Sequence, residues 1–170
     1  MVISRGKLMN QTRPGPGVLK DPVHFVAMGF GAGLLPYAPG TAGTLLAVLL
    51  ELGARQLLPG VLQRSILVVA MIGLGIWVCH ASARKLGQHD HQAIVWDEIC
   101  GYFLTMLAAP PGWIWVVAGF LLFRLLDIVK PWPIREVDHR IGGGFGIMLD
   151  DIVAGFFSAA AILAARGLLT

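Results

Sequence analysis

Ile99 to Phe123 reads ICGYFLTMLAAPPGWIWVVAGFLLF, a run of 25 residues without a charge that is interrupted by Pro110, Pro111 and Gly112. A single helix would hold two prolines near its centre, and each would remove a backbone hydrogen bond at a cost of about 3 kcal/mol. A helical hairpin that turns at Pro110-Gly112 avoids this cost. We therefore predict a hairpin, with one kinked helix as the alternative.

The charges on either side of this run also favour a hairpin. A single crossing would place the basic pair Arg84-Lys85 and the basic loop Lys130–Arg140 on opposite faces of a membrane, which the positive-inside rule disfavours. A hairpin keeps both on the cytosolic face. It also brings the acidic residues between Asp90 and Asp151 to that face.

Composition predicts that these apolar runs lie in a membrane. The 170 residues are 56% hydrophobic and 14% charged, with a mean hydropathy of +0.72, whereas soluble domains carry roughly 25% charged residues. The net charge of +3 suits contact with anionic lipid headgroups, and no basic run interleaved with aromatic residues suggests nucleic acid. Cys79 and Cys100 lie in apolar stretches and are interpreted as packing residues.

The expected fold is all-α, a compact multi-helix integral membrane protein with short and broken helices. Residues 1–22 are predicted to be a flexible, basic, cytosolic N-terminus, and residues 23–170 a single domain that starts with a short helix and a loop. Besides the hairpin, the predicted membrane spans are Thr41 to Leu58, Ser65 to Ala83, and Ile152 to Ala165. Glu51 and Arg55, spaced i,i+4, can pair on one face of the first span.

Acidic residues cluster in the second half of the chain. Seven of the ten lie in one region: Asp97, Glu98, Asp127, Glu136, Asp138, Asp150 and Asp151. Carboxylates beside lipid are costly, so they are expected to pair with cations or to bind a metal. Magnesium prefers oxygen ligands and shares its shell with substrate phosphate. The predicted magnesium ligands are Asp97, Glu98, Asp127, Asp150 and Asp151.

A simpler interpretation remains open for two acidic pairs. Asp97-Glu98 directly precedes a predicted helix start at Ile99, and Asp150-Asp151 directly precedes one at Ile152. Acidic residues at such positions commonly cap helices.

Arg124, Asp127 and Lys130 recur at i, i+3 and i+6, on one face of a helix. They could form an ion ladder that satisfies itself near a helix end. Alternatively, Asp127 binds the metal while Arg124 or Lys130 neutralises phosphate oxygens.

Two glycine-rich segments and one histidine pair are also candidates. Thr41, Gly43 and Thr44, within Pro39–Thr44, combine free amides with hydroxyls and are predicted to bind phosphate, although capping and close packing need the same residues. Gly142–Gly146 either allows close approach to the acidic pair or forms a flexible turn. His89-Asp90-His91 is interpreted as a polar loop.

Three known ways of hydrolysing a phosphate ester without a metal-activated water do not match the chain. The Cys and Arg spacing of cysteine phosphatases, the Asp-x-Asp-Gly signature and the motifs of histidine lipid phosphatases are all absent. An attack on phosphorus by a metal-activated water is the chemistry that remains.

Five ordered blocks between about Pro22 and Leu163 resemble the phosphatidylglycerophosphatase A family. The blocks are Gly29–Gly33, Pro39–Thr44, His89–His91 with Val95–Glu98, Phe123–Asp127 with Lys130–Arg135, and Gly144–Met148 with Asp150–Gly155. The resemblance implies an all-helical, magnesium-dependent enzyme of the bacterial inner membrane that hydrolyses phosphatidylglycerophosphate to phosphatidylglycerol and phosphate.

The resulting hypothesis assigns catalysis to Asp97, Asp127, Lys130 and Asp151, on the cytoplasmic face of a multi-pass protein. One alternative is a small membrane transporter or ion-binding protein with paired intramembrane carboxylates. A transferase acting on phospholipid headgroups is a second alternative, but the Asp-Gly and Ala-Arg spacing of such enzymes is missing.

Overall fold

The computed structural model of the chain describes residues 14–88, 91–132 and 142–169. This part of the chain is helical, and no strand occurs in it. Its helices are α1 (Pro22–Ala27), α2 (Pro39–Leu57), α3 (Val61–Leu86), α4 (Trp96–Met106), α5 (Trp113–Val129) and α6 (Gly143–Leu169). Two 3-10 segments, Pro16–Lys20 and Gly29–Leu34, lie on either side of α1. The predicted all-α class is confirmed.

The start of α1 is fixed by its own sequence. The Asp21 side chain accepts a hydrogen bond from the Val23 backbone N–H at 2.9 Å, and Pro22 occupies the first helical position, where no N–H is needed. The 3-10 segment Gly29–Leu34 then leads to α2. The predicted short helix and loop before the first long helix are therefore confirmed.

The predicted hairpin is also present. α4 ends at Met106, α5 begins at Trp113, and Gly112 has a φ of +131°, a conformation that glycine adopts readily. Arg55 of α2 stabilises the turn, because it donates to the Met106 carbonyl at 2.9 Å and to the Pro110 carbonyl at 3.3 Å. The predicted pair of Arg55 and Glu51 is formed at 2.5 Å. The side of a membrane on which this turn lies stays a prediction.

α4 is the central helix and packs against α2, α3, α5 and α6. All of its residues are buried except Glu98, which is half-buried. Small residues bring α6 close, since a Cβ placed on Gly155 would lie only 2.6 Å from the Gly101 carbonyl oxygen. The first half of the uncharged run therefore forms the protein core. Its lack of charge reflects helix packing as much as a membrane.

α3 and α6 are the described helices that are long and apolar enough to cross a membrane. Only 39% and 44% of their most apolar windows are buried, so more than half of each window is at least partly exposed. Val69 and Phe156, for example, are 69% and 60% exposed. Large outward apolar surfaces mark contact with a membrane or a partner.

Two predicted helix starts are wrong: α4 begins at Trp96 and not at Ile99, so Asp97 and Glu98 lie in its first turn. Instead of beginning at Ile152, the last helix begins at Gly143 and continues to Leu169, so Gly143–Gly146 is helical and does not form a flexible turn. Glycine is required there for close packing, because a Cβ on Gly144 would overlap the Ile76 carbonyl oxygen of α3. Asp150-Asp151 consequently lies in the third turn of α6 and does not cap its start.

Candidate active site

A cavity of about 730 Å³ opens at the end of the bundle where α2 and α4 begin and α5 ends. Five carboxylates and two cations line it: Asp97, Glu98, Asp127, Asp150, Asp151, Arg124 and Lys130. The rest of its wall consists of Ala38, Pro39, Gly40, Gln92, Ile94, Ile128, Gly146 and Ile147. Every predicted metal ligand therefore reaches one cavity.

α4 supplies Asp97 and Glu98 in its first turn, where the positive end of the helix dipole favours negative charge. Asp97 Oδ1 accepts a hydrogen bond from the Glu98 backbone N–H at 3.1 Å. Asp97 is 7% exposed, and Glu98 is half-buried. The dipole alone does not explain their burial in a cavity that three other acidic side chains enter.

α5 supplies Arg124 and Asp127 on one face of its last two turns, as predicted. Arg124 Nη1 lies 2.5 Å from Asp127 Oδ2 and 3.9 Å from Glu98 Oε1. Arg124 therefore links the acidic residues of two helices, which is more than the ion ladder within α5 requires.

Lys130 connects the end of α5 to α6. It caps α5 in a left-handed conformation with a φ of +44°, and its ammonium donates to Asp150 Oδ2. A non-glycine residue in this region is uncommon and is often found where a side chain must be held in place.

Asp151 lies where the acidic side chains converge. Its carboxylate shares one group with Asp97 and Glu98 and another with Asp127 and Asp150, and within each group one ligand atom per residue lies within 4.8 Å of the others. Asp151 is 3% exposed, and its Oδ1 has no hydrogen-bond partner in the part of the chain that the structure describes. These two groups could each hold a divalent cation.

The acidic residues also disfavour one another's ionised form. Burial, with the nearby charge of Asp151, raises the pKa of Glu98 to about 8, although a side-chain hydrogen bond with Asp97 acts in the opposite direction. Such a carboxyl loses its proton readily only when a cation is close to it.

The predicted phosphate-binding residues on α2 do not line this cavity. Thr44 is buried and its hydroxyl donates to the Gly40 carbonyl at 2.9 Å, while a Cβ on Gly43 would lie 2.7 Å from Val95 Cβ. Thr41 is half-buried and also absent from the wall. This segment contributes Pro39 and Gly40 instead. Binding of phosphate by Thr41, Gly43 and Thr44 stays a prediction that the shape of the cavity does not support.

Several predictions fall outside the described residues: His89, Asp90, Arg135, Glu136, Asp138 and Arg140. His91 is described and buried, and its Nδ1 accepts a hydrogen bond from the Ala93 backbone N–H at 3.0 Å. This contact shapes the turn before α4.

The sequence model of the phosphatidylglycerophosphatase A family matches residues 25–166, which include every acidic residue of this cavity. The chain belongs to that family. The resemblance noted from the five blocks is confirmed.

Curated relatives agree with the family assignment. Phosphatidylglycerophosphatase A of Escherichia coli K12 is 48% identical over 142 residues, covering 83% of this chain and 81% of the relative. Phosphatidylglycerophosphatase A of Haemophilus influenzae is 42% identical over 147 residues, covering 86% and 90%. A putative phosphatidylinositol-3-phosphatase of Bacteroides thetaiotaomicron is 40% identical over 147 residues, covering 83% and 91%. No solved structure matches the chain.

Membership of the phosphatidylglycerophosphatase A family confirms that the chain is an enzyme of the phosphatase class. The predicted site residues did not include the eight uncharged wall residues, among them Gly40, Gln92 and Gly146. Gly40 lies within Pro39–Thr44, which was predicted to bind phosphate, and Gly146 within Gly142–Gly146, for which close approach to the acidic pair was one interpretation. Gln92 follows the histidine pair directly, but a lone glutamine in a loop carries no signal of its own.

Proposed function

We propose that the chain hydrolyses the phosphate monoester of phosphatidylglycerophosphate, producing phosphatidylglycerol and inorganic phosphate, and that the acidic cavity is its active site. The observation that carries this proposal is the convergence of five carboxylates and two cations in one cavity. They come from α4, α5 and α6, and from Lys130, which caps the end of α5. The family assignment and the names of the two phosphatidylglycerophosphatase A relatives support the substrate.

Magnesium is the proposed cofactor, with Asp97, Glu98, Asp127, Asp150 and Asp151 as its ligands. The donor set fits, because all are carboxylates, and buried oxygens of Glu98 and Asp151 have no hydrogen-bond partner among the described residues. Five carboxylates and two cations leave an excess of three negative charges when all are ionised. A phosphate monoester, itself negative, would be repelled unless a cation offset this charge.

Magnesium, when bound, polarises the phosphate and makes water a stronger nucleophile. Arg124 and Lys130 then donate to phosphate oxygens and offset the charge that develops on them. Asp127 holds the Arg124 guanidinium at 2.5 Å, and Asp150 accepts from the Lys130 ammonium, so both cations are oriented before substrate arrives. One carboxylate accepts the proton of the attacking water and passes it to the glycerol oxygen as the bond between that oxygen and phosphorus breaks.

The proposed location is the bacterial inner membrane, crossed several times, with the cavity on the cytoplasmic face. The outward apolar residues of α3 and α6 support insertion. Among the described residues, the basic ones at the cavity end are Lys20, Arg84, Lys85, Arg124 and Lys130, whereas Arg55, Arg64 and Arg166 lie at the other end. This asymmetry favours a cytoplasmic cavity. A lipid phosphate could then enter without leaving the bilayer.

The test measures phosphate released by the purified full chain in detergent from short-chain phosphatidylglycerophosphate, with magnesium or with EDTA. We expect the wild type to release phosphate only when magnesium is present. We expect Asp97→Asn to release none. Asp21→Asn is the matched control, because Asp21 pairs with Lys85 at 2.5 Å and neither residue lines the cavity. Release that persists in EDTA or in Asp97→Asn would contradict the magnesium site, and no release from any lipid phosphate would favour the transporter alternative.

Phosphatidylinositol 3-phosphate belongs in the same assay because of the name of the Bacteroides relative. We expect it to be a poorer substrate than phosphatidylglycerophosphate, given the higher identity of the two phosphatidylglycerophosphatase A relatives. Faster release from phosphatidylinositol 3-phosphate would leave the phosphatase assignment intact but would make that lipid the preferred substrate.

A further inference from the structure

A second cavity lies at the end of the bundle opposite the acidic cavity. It has a volume of about 530 Å³, and its wall includes the side chains of Arg55 and Arg64. Arg55 follows Gly40 by 15 positions in α2, so about 22 Å of helix separates the two cavities. They share no wall residue.

The charges around this second cavity do not balance. Glu51 is 2% exposed, and its Oε1 lies 2.5 Å from Arg55 Nε and 3.7 Å from Arg64 Nη1. Each nitrogen of Arg55 already donates a hydrogen bond, Nε to Glu51 and the other two to the Met106 and Pro110 carbonyls of the hairpin. One carboxylate thus faces two guanidiniums, and the excess positive charge lies on Arg64.

Arg64 has hydrogen-bond donors to spare. Its side chain is 14% exposed, and its Nε and Nη1 are buried without a hydrogen-bond partner among the described residues, as is Oε2 of the neighbouring Glu51. Buried donors without an acceptor are costly. A guanidinium presents its donors as a planar fork that matches two oxygens of a phosphate group.

Apart from Gln56, the side chains in the rest of the wall are apolar, and the cavity is open to the outside. The apolar wall includes Leu52, Pro111, Trp113, Val116 and Val117, of which Trp113 is 75% exposed and Val117 45% exposed. A buried cation beside exposed apolar side chains matches an amphipathic anion. Phospholipids combine a phosphate group with acyl chains in this way.

We propose that this cavity binds the phosphate group of an anionic phospholipid, with Arg64 donating to the phosphate oxygens and Trp113 contacting the chains. The site is separate from the proposed active site and lies at the opposite membrane face. Inorganic phosphate presents the same oxygen acceptors, so the experiment below includes both sources.

The test follows thermal unfolding of the purified full chain in a neutral detergent. The ligands are short-chain phosphatidylglycerol, short-chain phosphatidylcholine, whose headgroup has no net charge, and inorganic phosphate. We expect phosphatidylglycerol to raise the unfolding temperature of the wild type, and Arg64→Gln to need about tenfold more lipid for the same shift. Arg84→Gln is the control, because Arg84 is exposed near the other end of the same helix. The wild type, Arg64→Gln and Arg84→Gln all keep the acidic cavity, so ligand binding there contributes equally to the three titrations.

A second pair of variants avoids disturbing Glu51. Gln56 lines the cavity, so Gln56→Glu adds a negative charge there without a change of volume. Gln63→Glu is its control, because exposed Gln63 accepts from the Gly60 N–H at 3.1 Å and a carboxylate can replace it. We expect Gln56→Glu, and not Gln63→Glu, to weaken the lipid-dependent shift.

These results distinguish the two sources of phosphate. If inorganic phosphate gives the same Arg64-dependent shift at the same concentration as phosphatidylglycerol, the anion site is supported and its ligand is free phosphate. The proposal is overturned if Gln56→Glu titrates like the wild type with both ligands, or if a folded Arg64→Gln does so. Phosphate release from phosphatidylglycerophosphate should be unchanged in Gln56→Glu, so this outcome is independent of the proposed activity.

Discussion

Gly40, in the first turn of α2, lies directly against the carboxylate of Glu98 on α4. A Cβ placed on Gly40 would overlap Glu98 Oε1 and would lie 3.2 Å from Arg124 Nη1. The absence of a side chain on α2 thus sets the position of an acidic group and a cation on two other helices. This contact explains why a glycine occurs inside a helix, where it costs about 0.5–1 kcal/mol relative to alanine.

Gly40→Ala should therefore lower phosphate release by about a hundredfold, since a displacement on the order of 1 Å in an active site has an effect of that size. Gly53→Ala, in the same helix, is the control, because a Cβ there meets nothing within 4 Å. We expect Gly53→Ala to keep full activity and to gain about 0.5–1 kcal/mol of unfolding free energy. Equal activity in the two variants would show that the position of Glu98 does not matter for the reaction.

The hairpin was predictable because its cause is local. Pro110 and Pro111 cannot donate backbone hydrogen bonds, and Gly112 supplies the positive φ that the turn needs. The start of α6 was not predictable in the same way. Gly144 looks like a turn residue in the sequence, yet it is helical because the backbone of α3 lies against it.

The site was predictable in part for a similar reason. Clustered acidic residues in an apolar chain indicate a common site, and the five predicted ligands do line one cavity. Spacing cannot say which face of α2 meets that cavity, since this depends on how α2 packs against α4. Thr44 therefore looked like a phosphate ligand, whereas its hydroxyl bonds within its own helix and Gly40 lines the wall.

Lys130→Gln should lower kcat by on the order of a hundredfold with a smaller change in KM, because its ammonium is proposed to offset charge that develops during phosphate transfer. Lys85→Gln is the matched control. Lys85 also pairs with an aspartate, Asp21 at 2.5 Å, but that pair is exposed and outside the cavity. Steady-state kinetics on both variants check this prediction. A Lys130→Gln enzyme with normal kcat would leave the Lys130–Asp150 pair a structural role only.

Asp151→Asn should lower phosphate release by more than about a hundredfold, because even the outer partners of metal ligands contribute 10–100-fold. In EDTA the same variant should unfold at a higher temperature than the wild type. Asp151 is buried among other carboxylates with Oδ1 unpartnered among the described residues, so removing its charge relieves repulsion. Opposite changes in activity and stability are typical of functional residues. A variant that loses both would indicate that Asp151 only supports the fold.

The metal-free protein should become less stable as pH rises. The folded pKa of Glu98 is about 8, above its ordinary value of 4.5, so the folded chain holds this proton more tightly than the unfolded chain does. The contribution to stability is therefore fully present below about pH 4.5 and is lost as pH rises through about 8. Unfolding temperatures in EDTA across this range should fall less steeply for Glu98→Gln, which cannot release a proton, than for the wild type. Magnesium should flatten the wild-type curve, since a bound cation favours the ionised carboxylate. Parallel curves for the two proteins in EDTA would show that Glu98 does not carry the raised pKa on which the electrostatic account of this cavity depends.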